Sequence, residues 1–458
     1  MIFSKILQID RQRVHIYLPI ILDFLPELLA NIKPIILDLQ KVYKTTSCLI
    51  KVSLHNNMDR SIVHMDLDSF FVAVECLKDA SLRGKPVIVG SNKDRGVVAA
   101  CSYEARKFGV HSAMPGRMAK QLCPDAIFVR GDFEAYSRYS DLVTELVQTE
   151  APLVEKASID EFYIDLSGME RYMGCYQWAL RVKRQIYTEL GLHVSVALSP
   201  NKTVSKVAVG EAKPNGQIFV PHGMEKTFLQ PLRIEKMPMI GEKTTHLLRT
   251  MGVQTVGKLA EIPLKVLERV FGKNGSWMWE RANGIDNSSV VPYHAQKSMS
   301  KESTFEKDTA DVSFLRQEII RMVGELTFDL RKMKETTGCI TIKIRYADFD
   351  TQTKQISIPY TASDHVLRRY AMELFEKLFN RRLMIRLIGV RLSKLVSGGM
   401  QLNLFDNSAA MSPLYVAMDK IRIRYGLSSV QPASTITLKR SIQSIEYQKY
   451  KTLNKNGK

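Results

Sequence analysis

The chain has 458 residues, 45% of them hydrophobic, enough for several packed domains. Its 65 Lys and Arg against 47 Asp and Glu leave a formal net charge of +18, which favours a polyanionic partner, nucleic acid ahead of an acidic membrane surface. The six cysteines (Cys48, Cys76, Cys101, Cys123, Cys175 and Cys339) form no C-x-x-C pair and no cluster with His, which excludes a zinc signature and a disulfide framework and suits a reducing cytoplasm.

Residues 16 to 39 are rich in Ile and Leu, but Pro19, Asp23, Pro26, Glu27, Lys33 and Pro34 interrupt them. No run approaches the ~20 apolar residues of a spanning helix, and the small-residue cleavage pattern of a secretory leader is missing. No membrane association is expected. Residues 1–57 read as an upstream extension, with the working protein starting at Met58.

The run from Ile62 through Asp66 and Asp68 is apolar and β-prone but broken by carboxylates, and Ala157 to Asp165 repeats the pattern around Asp160 and Glu161. A buried strand does not hold bare carboxylates without a compensating cation. If the two strands pair, Asp66, Asp160 and Glu161 converge on a metal. Oxygen-only ligands favour Mg²⁺ or Mn²⁺ over zinc or copper. Two such ions clamp the attacking and leaving oxygens of a phosphoryl transfer, which is the chemistry of nucleotide polymerisation.

Between these runs, Lys85–Gly90 and Val97–Cys101 read as strands. The following helix sets Tyr103 and Arg106 three apart, on one face. A phenol and a planar guanidinium so placed suit a triphosphate. Helical spacing spans 133 to 148, with Tyr136, Tyr139, Leu142, Val143, Leu146 and Val147 on one side. A helix near 176–190 and the alternating strand His193–Leu198 complete a mixed sheet backed by helices.

Residues 224–291 look all-helical. Within them Met237-Pro238-Met239-Ile240-Gly241-Glu242-Lys243-Thr244 opens a helix-hairpin-helix pattern, whose backbone N–H groups around Gly241 and Lys243 suit a DNA phosphate. The polar stretch 286–298, with Pro292, reads as a linker. Strand, helix, strand, strand, helix, strand follow. Their helices are marked by Leu315, Ile319, Met322, Val323, Leu326 and Leu330, then by Val366, Leu367, Tyr370, Leu374 and Leu378. In Ile340–Tyr346 the isoleucines and Tyr346 share the face toward the helices, while Thr341, Lys343 and Arg345 share the face suited to a DNA backbone. A short basic helix is expected over 414–425, with a disordered Lys-rich end after it.

Five motifs, in order, resemble those of the Y-family, or translesion, DNA polymerases. They are Met65-Asp66-Leu67-Asp68-Ser69-Phe70-Phe71, Ser102-Tyr103-Glu104-Ala105-Arg106-Lys107-Phe108-Gly109, Ser158-Ile159-Asp160-Glu161, Asn201-Lys202 and Ala212-Lys213-Pro214-Asn215-Gly216. The resemblance runs from Met58 to about residue 396. It implies a multidomain α+β right-hand polymerase: palm 58–69 and 132–223, fingers 70–131, helical thumb 224–291, linker 292–297, a βαββαβ little finger 298–397 and a tail 398–458.

By this resemblance Asp66, Asp160 and Glu161 are the catalytic metal ligands, joined by the main-chain carbonyl of Leu67 and holding two Mg²⁺ ions, with Mn²⁺ as a substitute. Phe70 and Phe71 border the nucleotide, Phe71 as the steric gate that leaves no room for a 2′-hydroxyl. Tyr103, Arg106 and Lys213 grip the triphosphate, and Arg386 and Arg391 match little-finger DNA contacts. Met239 departs from the pattern, which carries Gly there. Gln401-Leu402-Asn403-Leu404-Phe405 looks like the bacterial sliding-clamp-binding peptide, with Leu404 and Phe405 entering a pocket and Gln401 setting the register. The implied activity is template-directed, low-fidelity synthesis from dNTP onto a primer 3′-hydroxyl across damaged bases. It belongs to a cytoplasmic monomer working with primer–template DNA and the clamp. A catalytically silent DNA- and clamp-binding factor is the alternative, and a palm-type transferase or cyclase acting on small molecules is a third reading.

Overall fold

The structure, a computed structural model, describes residues 60–172, 174–292, 295–398 and 408–435. The upstream extension, the start at Met58, the pentapeptide 401–405 and the Lys-rich end lie outside these residues.

The chain runs β1 (Ile62–Leu67), α1 (Phe70–Lys78), β2 (Val87–Gly90), β3 (Val98–Cys101), α2 (Tyr103–Arg106), α3 (Gly116–Leu122) and β4 (Ile127–Val129). It continues α4 (Phe133–Glu150), β5 (Val154–Lys156), β6 (Glu161–Asp165), α5 (Cys175–Leu190), β7 (Val194–Ser199), α6 (Lys202–Ala212) and β8 (Gln217–Phe219). Five helices follow: α7 (Glu225–Leu229), α8 (Glu242–Thr250), α9 (Val256–Glu261), α10 (Leu264–Phe271) and α11 (Lys273–Ala282). The rest is β9 (Ser298–Thr309), α12 (Val312–Lys332), β10 (Glu335–Tyr346), β11 (Thr351–Thr361), α13 (Asp364–Leu378), β12 (Ile385–Ser397) and α14 (Ser408–Tyr425).

One sheet has the order β5-β6-β1-β7-β8, a second β3-β2-β4 and a third β11-β10-β12-β9. Strands β1 and β7 are buried along their whole length, as expected of central strands covered on both faces. The described chain divides into two units. One comprises the residues up to His64, Tyr163–Val182 and Val196–Ser289; the other comprises Met65–Phe162, Lys183–Ser195 and the residues from Val290 on.

In the first unit, apolar side chains of α6 through α11 form one core, including Val204, Leu229, Leu248, Leu259 and Met278. Asp286 lies inside this unit, where the polarity of its stretch suggests a linker. Its carboxylate accepts from Thr203 N and Oγ1 (2.9 and 2.8 Å), from Ser288 N and Oγ (2.9 and 2.5 Å), and pairs with Arg281 at 2.7 Å. Asn201 assists: it caps α6 by accepting from Val204 N and donates to the Gly284 carbonyl. The first residue of the polar stretch is thus buried in a satisfied network, while Asn287–Ser289 after it are exposed and irregular.

Burial alone would raise the Asp286 pKa, but Ser288, Thr203 and Arg281 outweigh it and hold the carboxyl below its ordinary range. A depressed folded pKa means that this stabilisation is complete above the ordinary carboxylate pKa and is lost as pH falls through the lowered value. Asp286→Ala, which strands Arg281 beside an empty acceptor site, is expected to cost about 3–5 kcal/mol at neutral pH. Urea unfolding checks this, and a loss under about 1 kcal/mol removes the network from the stability argument.

In the second unit, the small sheet packs Ile88, Val98, Cys101, Ala105 and Ala119 together. The four-stranded sheet is antiparallel throughout, with Ile340, Ile342 and Ile344 opposite Leu392, Val390 and Ile388. These residues and Tyr346 meet Leu315, Ile319, Leu326, Leu367 and Phe375 of α12 and α13 in one core. In α4 the buried stripe is narrower than its spacing suggests. Tyr136, Ser140, Val143, Leu146 and Val147 are inside, while Leu142 is 37% exposed.

Helix α14 starts earlier than the sequence suggests. It is fastened to α12 by Arg331, whose Nε and Nη2 donate to Asp419 at 2.6 and 2.9 Å while Nη1 donates to Asp364 at 2.6 Å. Tyr415 and Arg422 are buried there. No helix among the described residues is long and apolar enough to cross a membrane.

Candidate active site

The end of β1 is held on both sides by main-chain bonds. Leu67 N–H donates to the Asp160 carbonyl at 3.0 Å, and Asp68 N–H donates to the His193 carbonyl at 2.9 Å. The turn before β6 and the turn before β7 are therefore fixed beside Asp66 and Asp68, which are both buried.

Asp160 sits half-buried on the first of these turns, and Glu161, also half-buried, opens β6. Ser158 organises it: its hydroxyl accepts from Glu161 N (3.1 Å) and Asp160 N (3.3 Å) and donates to Asp160 Oδ1 at 2.5 Å. The Asp160 carboxylate is thereby turned onto its own loop. Among the described residues no three Asp, Glu, His or Cys side chains close tightly enough on one point to hold a metal ion. The two segments are neighbours through the Leu67–Asp160 main-chain bond, with the Asp160 carboxylate held by the Ser158 hydroxyl. The donors present are all oxygens, which suits a hard divalent cation and no other common biological metal.

Asp68 has a different occupation. Both its oxygens accept from Ser195 Oγ at 2.9 Å, and Oδ1 accepts from Tyr103 Oη at 3.1 Å. Burial and the Asp68 charge push the Tyr103 phenol well above its ordinary pKa, so it remains a donor. Ser102 caps α2 by accepting from Ala105 N, which places Tyr103 in the first turn. One turn on, the Arg106 guanidinium lies over the Tyr103 ring at 4.9 Å. The pair shares a face, as its spacing requires. A phenol has one proton, however, and this one is committed to Asp68.

Of the two adjacent phenylalanines only one faces outward. Phe70 is 3% exposed and packs into the core, since consecutive helical residues point 100° apart. Phe71 is half-buried. Its ring stacks on Tyr136, with centroids 4.3 Å apart and planes 11° apart, and meets Phe133 edge-on at 5.5 Å. Lys213 belongs to the first unit, as the C-cap of α6. The turn after it depends on Gly216, where a Cβ would lie 1.8 Å from the Ala212 carbonyl oxygen.

The hairpin residues are also in the first unit. Gly241 is the N-cap of α8 without a side-chain cap, and Lys243 is exposed in the first turn, so the helix start presents N–H groups and a cation. Met239 takes φ +64° and is 85% exposed, a left-handed backbone conformation that glycine adopts without strain. Met239→Gly loses no packing and relieves left-handed strain, so it is expected to stabilise by about 0.5–1 kcal/mol. A rise in the urea midpoint at unchanged m-value checks this; a fall contradicts the strain.

On the four-stranded sheet, Thr341, Lys343 and Arg345 do lie opposite the helical face, with Arg391 exposed beside Thr341. Two of the cations are engaged within the sheet. Lys343 Nζ pairs with Glu302 at 2.9 Å, the Glu302 side chain crossing Gly389, where a Cβ would sit 2.7 Å from Glu302 Cγ. Arg345 Nε donates to Thr351 Oγ1 at 2.8 Å. Arg386 lies over the Phe349 ring at 4.5 Å. The clamp-type residues Gln401, Leu402, Leu404 and Phe405 fall outside the described residues.

Sequence reading missed Ser195, Ser158 and Glu302 as partners of these groups. For Ser195 a signal exists: in the alternating strand it is the polar residue opposite Val194 and Val196, on the face that meets β1's acidic end.

Comparison with known proteins places this geometry in context. Residues 65–210 match the impB/mucB/samB family, residues 296–404 the impB/mucB/samB family C-terminal domain, and residues 235–286 the model described as the DNA polymerase-iota thumb domain. The DNA polymerase IV of Dehalococcoides mccartyi (strain BAV1) is 40% identical over 384 residues, covering 83% of this chain and 98% of the relative. That of Desulfatibacillum aliphaticivorans is 34% identical over 383 residues, covering 82% and 97%. Among solved structures, a chimaeric Y-family DNA polymerase superposes with a TM-score of 0.66 at 27% identity, covering 74% of this chain and all of that one.

Proposed function

The chain belongs to the impB/mucB/samB family of Y-family DNA polymerases and is a DNA-directed DNA polymerase of the translesion class, and from that premise we propose how its residues divide the work. Asp66, Glu161 and the Leu67 carbonyl, together with Asp160 once rotated off Ser158, hold two divalent cations, Mg²⁺ in the first instance and Mn²⁺ as a substitute. Bound there, the cations supply neutralisation of the triphosphate and a lowered pKa for the primer hydroxyl. The observation that carries this assignment is the 3.0 Å bond from Leu67 N to Asp160 O, which joins the two acidic segments through rigid backbone.

Arg106 and Lys213 receive the triphosphate. Tyr103 joins them only if the phosphate draws its proton away from Asp68. Phe71 lies under the sugar and excludes a 2′-hydroxyl. The primer 3′-oxygen loses its proton, bonds to the α-phosphorus, and the bond to pyrophosphate breaks. Gly241, Lys243, Lys343, Arg345, Arg386 and Arg391 hold the DNA backbone without reading sequence, so binding falls with salt. We assign 58–69 and 132–223 to the palm, 70–131 to the fingers, 224–291 to the thumb and 298–397 to the little finger. The pentapeptide 401–405 serves as a tether to a sliding clamp, which raises effective concentration at the primer end. The protein works as a low-fidelity cytoplasmic monomer.

Extension of a primed template with each dNTP tests the reading. Synthesis is expected with Mg²⁺, none after EDTA, and recovery on adding Mg²⁺ back. Binding of primer–template DNA with no extension under any divalent ion overturns it in favour of a non-catalytic factor.

A further inference from the structure

The Phe71 ring does not rest on the palm as an isolated side chain. It stacks almost parallel on Tyr136, 4.3 Å between centroids. Tyr136 is fully buried, and its hydroxyl donates to Glu75 Oε1 at 2.6 Å. Glu75 is itself buried and lies on α1, one turn beyond Phe71. The three residues close a loop: Phe71 on α1, Tyr136 on α4, and back to α1 through Glu75. Lys78 Nζ then bridges Glu75 (3.2 Å) and Asp132 (2.9 Å), and Asp132 caps α4 by accepting from Ala135 N.

A stack alone leaves two rings free to slide, since dispersion is flat over small lateral shifts. A hydrogen bond is directional. Tying Tyr136 to the helix that carries Phe71 sets the ring's position by reference to its own backbone. Discrimination by a steric contact depends on sub-ångström placement, so a ring that slides admits what a fixed ring rejects. A buried carboxylate with a phenol and an ammonium around it is also costly to keep for packing alone, where Gln or Leu would serve.

We propose that Glu75, acting through Tyr136, is a positioning residue for sugar selection: it holds the Phe71 ring at the height that excludes a ribonucleotide. This rests on the reading of Phe71 as the gate. The test measures kcat/KM for a dNTP and its matching rNTP in primer extension with the full chain, for the parent and for Tyr136→Phe, Glu75→Ala, Glu75→Gln and Phe71→Ala. Tyr136→Phe keeps the stack and removes only the hydrogen bond, so it stays informative if Glu75→Ala folds poorly.

The dNTP-over-rNTP ratio is expected to fall about fivefold to tenfold in Tyr136→Phe and Glu75→Ala, the scale of one lost hydrogen bond. Glu75→Gln, whose amide oxygen still accepts from Tyr136, is expected to stay within about twofold of the parent. A Tyr136→Phe ratio equal to the parent's, with Phe71→Ala strongly reduced, overturns the positioning role and leaves the gate standing. A parental ratio in Phe71→Ala overturns the gate, and the positioning role with it.

Discussion

Asp160→Ala/Glu161→Ala is expected to lower the rate of nucleotide addition by at least about 10³-fold, roughly 4 kcal/mol of transition-state stabilisation, while primer–template binding changes by less than about threefold. The argument is electrostatic. The transferring phosphoryl and the departing pyrophosphate carry charge that cations compensate, and under the proposed assignment loss of these two carboxylates would leave only Asp66 and one carbonyl as donors. Folding is not at risk. Both residues are half-exposed, Asp160 on a turn and Glu161 at the start of β6, and their main-chain bonds survive truncation, in particular Leu67 N to Asp160 O. Single-turnover extension and fluorescence anisotropy on labelled primer–template read the two quantities separately. A double variant within tenfold of the parent means that other residues hold the ions.

Phe71→Ala is expected to cut the preference for deoxy- over ribonucleotides by about 10²-fold or more, with dNTP extension retained. A pocket that merely surrounds a hydroxyl discriminates weakly; one that places a wall where the hydroxyl must go discriminates by steric overlap. The ring lies flat against Tyr136, whose hydroxyl is tied to Glu75, and edge-on to Phe133. Truncation opens that volume. Competing dNTP and rNTP in one extension reaction measures the ratio directly. If the variant rejects ribonucleotides as sharply as the parent, the wall is elsewhere, and Tyr103 becomes the side chain to truncate next.

Much of the architecture was legible before any coordinates. The βαββαβ order of residues 298–397 follows from local periodicity: Ile340, Ile342 and Ile344 alternate because a strand does, and Leu315, Ile319, Met322 and Leu326 recur because a helix does. Departures arose where tertiary partners overrule local pattern. Asp286 looks like loop and is buried, because Thr203 and Arg281 satisfy it from other helices. Leu142 looks like core and is 37% exposed, although Leu146, one turn on, is buried. The helix Ser408–Tyr425 begins before its expected start and docks through Arg331, a residue far back in the chain.

The candidate site shows the same division more sharply. Residue order and spacing by themselves determined that carboxylates would interrupt two apolar strand-forming runs and that Tyr103 and Arg106 would share a face, since local backbone geometry dictates both. Only the folded chain decided which carboxylate does what. Asp66 and Asp68 are two residues apart and chemically identical, yet Asp68 is occupied by Ser195, 127 residues away, and by Tyr103, 35 residues away. Phe70 and Phe71 are likewise indistinguishable as letters, and the rotation of one helix buries the first and turns the second onto Tyr136. Hydrogen bonds and ring contacts act over a few ångströms of space, so they register where distant segments meet, and no one-dimensional pattern carries that information.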